Sequence, residues 1–137
     1  MSRLYLDANA LIYFVERSDP TQQRIAERIV AELREGRRMT TSELGVAECL
    51  YGAYKLKSEP LERRYLALFD EPNVLRIVPV NGERLNRAAK LGAEMGLKLA
   101  DAVHFAAAIE GGCSQFLTAD RRIRTNAGVE VVAIEDL

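Results

Sequence analysis

Four carboxylates, Asp7, Glu48, Asp101 and Asp120, stand at places in this chain where they could do chemistry. Asp7 directly follows the apolar run Leu4-Tyr5-Leu6, and Asp120 follows Gln115–Thr118. Both runs read as short strands, and open parallel sheets bind ligands outside the carboxyl ends of their strands. Either acid alone would only cap the helix that follows. Glu48 lies on a helix that Ser42 can cap, with Leu44 and Tyr51 at spacings of four and three and Ala47 beside it, so it is expected on an apolar stripe. Glu43 falls in the first turn of that helix, where an acid simply favours the dipole. Asp101 shares a helix face with Leu97, Phe105 and Ala108, among alanines that suggest close backbone packing. A carboxylate facing a core is costly unless it is paired or bound to a metal. A salt bridge to an arginine is the structural alternative for Asp101.

Gathering such acids carries a large repulsive term: two unit charges about 4 Å apart repel by roughly 4 kcal/mol at an effective dielectric near 20. A divalent cation removes it, and all-oxygen ligation suits Mg2+ or Mn2+ rather than zinc. Such an ion keeps several waters, polarises phosphate and lowers the pKa of bound water, which suits phosphodiester hydrolysis.

The rest of the composition narrows the chemistry. His104 is the single histidine and Cys49 and Cys113 the only cysteines, too few for a four-ligand structural zinc site. His104 lies one turn from Asp101 and reads as a packing residue or a support for a ligand. A histidine-based ribonuclease often needs a second histidine as acid or base. No Gly-x-Ser-x-Gly elbow, P-loop or dinucleotide fingerprint occurs. An aspartyl phosphatase would place a second Asp two residues after Asp7, where this chain has Asn9.

The net charge of −1, from 19 basic and 20 acidic residues, is not a nucleic-acid footprint by itself. Committing four carboxylates to a cation would leave the remainder basic. Arginines cluster at Arg34, Arg37 and Arg38, at Arg63 and Arg64, and at Arg121, Arg122 and Arg124. The plain reading of each cluster is a solvated helix end or loop.

These residues must be positioned by short elements in a chain of 137 residues, enough for one domain, residues 1–137. Strands are expected at Leu4–Leu6, Arg38–Thr41, Val74–Val80, Gln115–Thr118 and Val129–Ile134. Helices are expected from about Ala8 to Val15, from Pro20 with Asp19 as N-cap, from Ser42 to about Lys57, from Pro60, from Asn81 and from Leu99 to Glu110. Gly36, Gly96 and Gly111-Gly112 close helices. Strands alternating with helices predict an α/β fold, a three-layer α/β/α sandwich with a mostly parallel central sheet. Asp7 interrupts the N-terminal apolar run early, and no stretch is long enough to span a membrane, so a cytoplasmic location is expected.

The acids and their surroundings resemble the PIN-domain family, and within it the VapC-type toxins of toxin–antitoxin pairs. The similarity covers nearly the whole chain. Tyr5-Leu6-Asp7-Ala8-Asn9-Ala10-Leu11-Ile12-Tyr13 is similar to the family's opening motif, and Thr41–Gly52 to its second, with the acid at Glu48. Leu99–Ala108 resembles the third motif, with Asp101 as ligand, and Phe116–Arg122 the fourth. Cys49, where aliphatic residues are more frequent, and Ala8, where Thr or Ser is, depart from the pattern without touching the chemistry.

The resemblance implies a metal-dependent endoribonuclease using Mg2+ or Mn2+, with catalytic residues Asp7, Glu48, Asp101 and Asp120. Asp7 and Asp101 would bind the ion directly. Asn9 and Thr118 would orient ligands or waters, and Arg121 and Arg122 would hold RNA phosphates. It also implies a homodimer and a cognate antitoxin protein. Two alternatives remain open: a non-catalytic RNA-binding or scaffold module with the same fold, or a housekeeping RNA-processing nuclease without an antitoxin.

Overall fold

The computed structural model describes residues 4–118 and 129–133. Five strands, β1 Leu4–Leu6, β2 Met39–Ser42, β3 Leu75–Val78, β4 Gln115–Thr118 and β5 Glu130–Ala133, form one sheet in the order β3-β2-β1-β4-β5. Every pairing is parallel, with Leu4 opposite both Met39 and Gln115, and Leu6 opposite Leu117. Six helices connect and flank them: α1 Ala8–Glu16, α2 Pro20–Arg34, α3 Glu43–Lys55, α4 Glu59–Phe69, α5 Gly82–Met95 and α6 Leu99–Glu110. This is the α/β architecture expected from the alternation of elements.

The helices start where the sequence supplies caps. Asp7, Asp19, Ser42, Ser58 and Asn81 each accept a hydrogen bond from a backbone amide three residues on, satisfying one of the donors that a helix N-terminus otherwise leaves open. Gly96 ends α5 at φ 70°, a left-handed conformation that glycine adopts without a Cβ penalty. Element bounds differ from expectation mainly at frayed ends: α3 stops at Lys55 and β3 at Val78.

Strand alternation divides the interior. Leu4 and Leu6 of β1 and Leu117 of β4 join a core with Leu11, Ile25, Ile29, Cys49, Ala53 and Tyr65 from α1 to α4. Tyr5 and Phe116 point the other way, into a core with Phe105 and Ala108 of α6. Burying each large apolar side chain is worth roughly 1.5–3 kcal/mol, so both layers are held independently of the site between them. The second layer packs closely because Gly92 of α5 faces Ala102 of α6: a Cβ on Gly92 would stand 2.8 Å from that of Ala102.

One expectation about side-chain placement on α3 is corrected. Glu48 does not lie on the core stripe of α3, which is Gly45, Cys49 and Ala53; its neighbours Ala47 and Tyr51 are exposed. The helix is rotated so that a row of small residues meets the sheet. On α5, Leu85 is exposed, while Ala88 is buried. No helix among the described residues is long and apolar enough to cross a membrane.

Candidate functional site

The sheet order sets the location. β1 is central, with β2 on one side and β4 on the other, so the chain's winding reverses between β1 and β4. Such a switch point opens a crevice at the carboxyl ends of the two strands. Asp7 stands at the end of β1 and Thr118 closes β4.

Asp7 is 7% exposed and held by both carboxylate oxygens. Oδ1 accepts the Ala10 amide at 2.9 Å and Oδ2 accepts the Thr118 hydroxyl at 2.8 Å. Neither partner is charged. Each carboxylate oxygen has a second acceptor site, so the group retains capacity for a further ligand. Burial pushes the Asp7 carboxyl above the usual carboxylate range. The Ala10 amide, the charge that His104 carries when protonated and the Thr118 hydroxyl pull it down, and the charge of Asp101 pushes it up again. Asp7, His104 and Asp101 therefore share one electrostatic neighbourhood.

Asp101 enters from the first turn of α6 and is half-buried, not sunk in the core. Lys98, the N-cap residue of α6, makes no side-chain cap bond. Asp101 there gains from the helix dipole. Glu48 reaches the region from α3, with 39% of its side chain exposed. Its Oε1 lies 2.5 Å from Nε2 of His104, and Nδ1 of His104 lies 2.7 Å from the Tyr5 hydroxyl. Thus α3 of one layer and α6 of the other are tied together beside the carboxyl edge of the sheet.

The residues expected to carry chemistry fall into three groups. Asp7, Thr118, Asp101, Glu48 and His104 are brought to this edge. Asn9 is exposed in the first turn of α1. Asp120, Arg121 and Arg122 lie outside the described residues. Tyr5 received no role from the sequence; its polar tip within an otherwise apolar strand was the available signal. Of the basic clusters, Arg34, Arg37 and Arg38 precede β2, at the amino end of the sheet and away from Asp7. Arg37 pairs with Glu32, Arg38 donates to the Pro72 carbonyl, Arg63 pairs with Glu59, and Arg64 donates to the Val15 carbonyl. Arg37, Arg38 and Arg64 are thus structural tethers, while Arg63 and Glu59 form an exposed surface pair.

Among the described residues, no three His, Cys, Asp or Glu side chains come close enough together to hold a metal ion. The donors present nevertheless fit a hard cation in kind: a buried carboxylate bonded only to neutral groups, a second carboxylate acting on it, and a third anchored nearby through one oxygen. Anionic oxygen donors of this type suit Mg2+ or Mn2+.

A family model described as PIN domain matches residues 4–129. No curated protein sequence matches the chain. Several solved structures share its fold. One is "Structure of FitAB bound to IR36 DNA fragment", with TM-score 0.74 and 21% identity, covering 98% of this chain and 96% of that one. A toxin–antitoxin complex from Klebsiella pneumoniae gives TM-score 0.66 and 21% identity, covering 99% and 100%. Mycobacterium tuberculosis VapC20, described as a sarcin-ricin loop cleaving toxin, gives 0.67 and 16%, covering 82% and 86%.

Proposed function

Since this chain belongs to the PIN-domain family, matched over residues 4–129, we propose that it is a divalent-metal-dependent endoribonuclease and the toxin of a toxin–antitoxin pair. The observation that carries the reading is Asp7: a carboxylate buried at the switch point of a parallel sheet, bonded only to uncharged groups, with Asp101 close enough to act on it. A carboxylate so placed is costly in isolation and becomes favourable once a cation shares the crevice.

Asp7 and Asp101 would hold the ion directly, and Glu48 and Asp120 would complete the acidic pocket, directly or through water. When bound, the ion supplies electrophilic stabilisation of a phosphoryl oxygen and a more acidic water. The chain's own groups do the positioning. The Ala10 amide and the Thr118 hydroxyl fix the plane of the Asp7 carboxylate. The N-terminus of α6 holds Asp101 at the edge of the crevice. Arg121 and Arg122 would meet RNA phosphates, so replacing both with alanine should raise KM more than it lowers kcat.

The toxin role rests on the company of the fold: the Klebsiella pneumoniae structure is a toxin–antitoxin complex, FitAB is bound to a DNA fragment, and VapC20 is described as a sarcin-ricin loop cleaving toxin. An antitoxin protein and a homodimer are accordingly proposed as partners. The enzymatic test is incubation of a total RNA pool with purified protein in Mg2+, Mn2+ or chelator, beside Asp7→Asn purified identically. Metal-dependent cleavage confined to the unsubstituted protein supports the nuclease. Equal behaviour of the two proteins would favour a non-catalytic module.

A further inference from the structure

The link between Tyr5, His104 and Glu48 is not explained by packing alone. His104 is 3% exposed and Tyr5 fully buried, yet both ring nitrogens of the histidine are engaged, at 2.7 Å and 2.5 Å. The donor directions follow from chemistry. A carboxylate has only acceptors, so Nε2 must carry the proton and donate to Glu48. In the neutral ring Nδ1 is then an acceptor, and the Tyr5 hydroxyl donates to it. For the neutral ring, the chain of bonds runs from Tyr5 through His104 to Glu48 and selects one tautomer.

The surroundings are shaped to admit this arrangement. Gly45 lies one turn before Glu48 on α3. A Cβ there would stand 2.3 Å from Thr41 Oγ1, so glycine lets α3 sit close against the end of β2, which brings this turn of the helix within van der Waals reach of the His104 ring, 3.5 Å from Cε1. Tyr5 is itself clamped, stacked on Phe116 at 5.2 Å and edge-on to His104 at 5.8 Å. Glu48 is otherwise a half-exposed side chain with free rotamers. Holding Oε1 to a rigid, buried ring removes that freedom and leaves Oε2 available.

We propose that His104 is a positioning residue that presents the Glu48 carboxylate to the acidic site, with Tyr5 setting the tautomer that makes this possible. The proposal rests on the metal-dependent reading given above. Groups that orient ligands in this way typically change metal affinity or activity by about 10–100-fold when removed. Loss of His104 should therefore act on the cation site and the turnover step, not on RNA affinity.

Three variants test it: His104→Ala, His104→Gln, whose amide can still donate to Glu48, and Tyr5→Phe, which deletes one hydroxyl from a ring that keeps its packing. Each is measured for Mn2+ affinity by calorimetry without RNA, and for kcat and KM with RNA. Because the chain has one histidine, nitrogen-15 NMR of the imidazole needs no assignment. The expected results are an Nε2-protonated, Nδ1-unprotonated ring in the unsubstituted protein, and a mixture of tautomers in Tyr5→Phe. Mn2+ affinity and kcat should fall about 10–100-fold in His104→Ala, with partial recovery in His104→Gln and KM unchanged. If His104→Ala does not fold, the decision passes to the other two variants. Unchanged Mn2+ affinity and kcat in the folded variants, or a proton on Nδ1, would overturn the proposal while leaving the nuclease reading intact. Unsubstituted protein that neither binds Mn2+ nor cleaves RNA would overturn the reading beneath it, and the proposal with it.

Discussion

Replacing Asp7 in two ways separates its structural work from its charge. In Asp7→Asn, the side-chain oxygen can still cap α1 through the Ala10 amide, and the amide nitrogen can donate to Thr118 Oγ1. Asn is as good an N-cap as Asp. In Asp7→Ala both bonds vanish. The lost cap costs about 1 kcal/mol, and loss of the hydrogen bond from the Thr118 hydroxyl to the carboxylate costs about 1–3 kcal/mol. Both variants relieve the burial of a charge, so the difference between them isolates the hydrogen bonds at roughly 2–4 kcal/mol. For a domain of this size that separates the two melting temperatures by on the order of 10 °C. The assay is thermal unfolding in chelator, followed by circular dichroism. Asparagine should melt at or above the unsubstituted protein, and alanine well below asparagine. Coincident melting of the two variants would refute the bonding scheme at Asp7. The pH dependence has a definite sign. Burial raises the Asp7 carboxyl in the folded state, so the folded protein binds the extra proton. Its contribution is present below the unfolded pKa and lost as pH rises through the folded one. Asp7→Asn lacks this loss, and its stability advantage should therefore grow from acid towards neutral pH.

Other consequences are more local. Mg2+ or Mn2+ at millimolar concentration should raise the melting temperature of the unsubstituted protein by mass action and leave that of Asp7→Asn unmoved; an unsubstituted protein indifferent to both ions would remove the cation from the account. Gly45→Ala should destabilise by about 1–3 kcal/mol in urea unfolding, as overpacking against Thr41 outweighs the better helix propensity, and a change within the error of the titration would contradict that packing. Cys49, 1% exposed and with its thiol pushed up to about 12 by burial, should resist alkylation at pH 8 in the folded protein and react on denaturation; rapid labelling of the native chain, mapped by mass spectrometry, would show the thiol to be accessible. Tyr65→Phe removes the bond to Glu16 at 2.8 Å that ties α4 to the end of α1, and should cost about 0.5–1.5 kcal/mol.

The sequence displayed the sheet because five short apolar runs alternated with capped helices, and caps are local: Asp19, Ser42 and Asn81 announced their helices within four residues. The crevice was legible for a related reason. An acid immediately after a strand, as at Asp7, is placed by the topology of any parallel sheet. Rotation of a helix about its axis is not local. The α3 pattern allowed a stripe through Leu44, Glu48 and Tyr51, yet the sheet accepts Gly45, Cys49 and Ala53, because only small residues allow that close approach. Glu48 consequently faces the crevice edge and not the core. The partnership of Tyr5 with His104 was illegible for the same reason: it joins residues distant in sequence and depends on how two layers meet.

The measurement that bears most directly on the central claim is the anomalous diffraction of crystals soaked in Mn2+. The account predicts a strong peak within coordination distance of the Asp7 and Asp101 carboxylates, at the carboxyl ends of β1 and β4, and its disappearance in Asp7→Asn crystals. Manganese bound elsewhere, or no peak at this crevice in protein that still cleaves RNA, would contradict it.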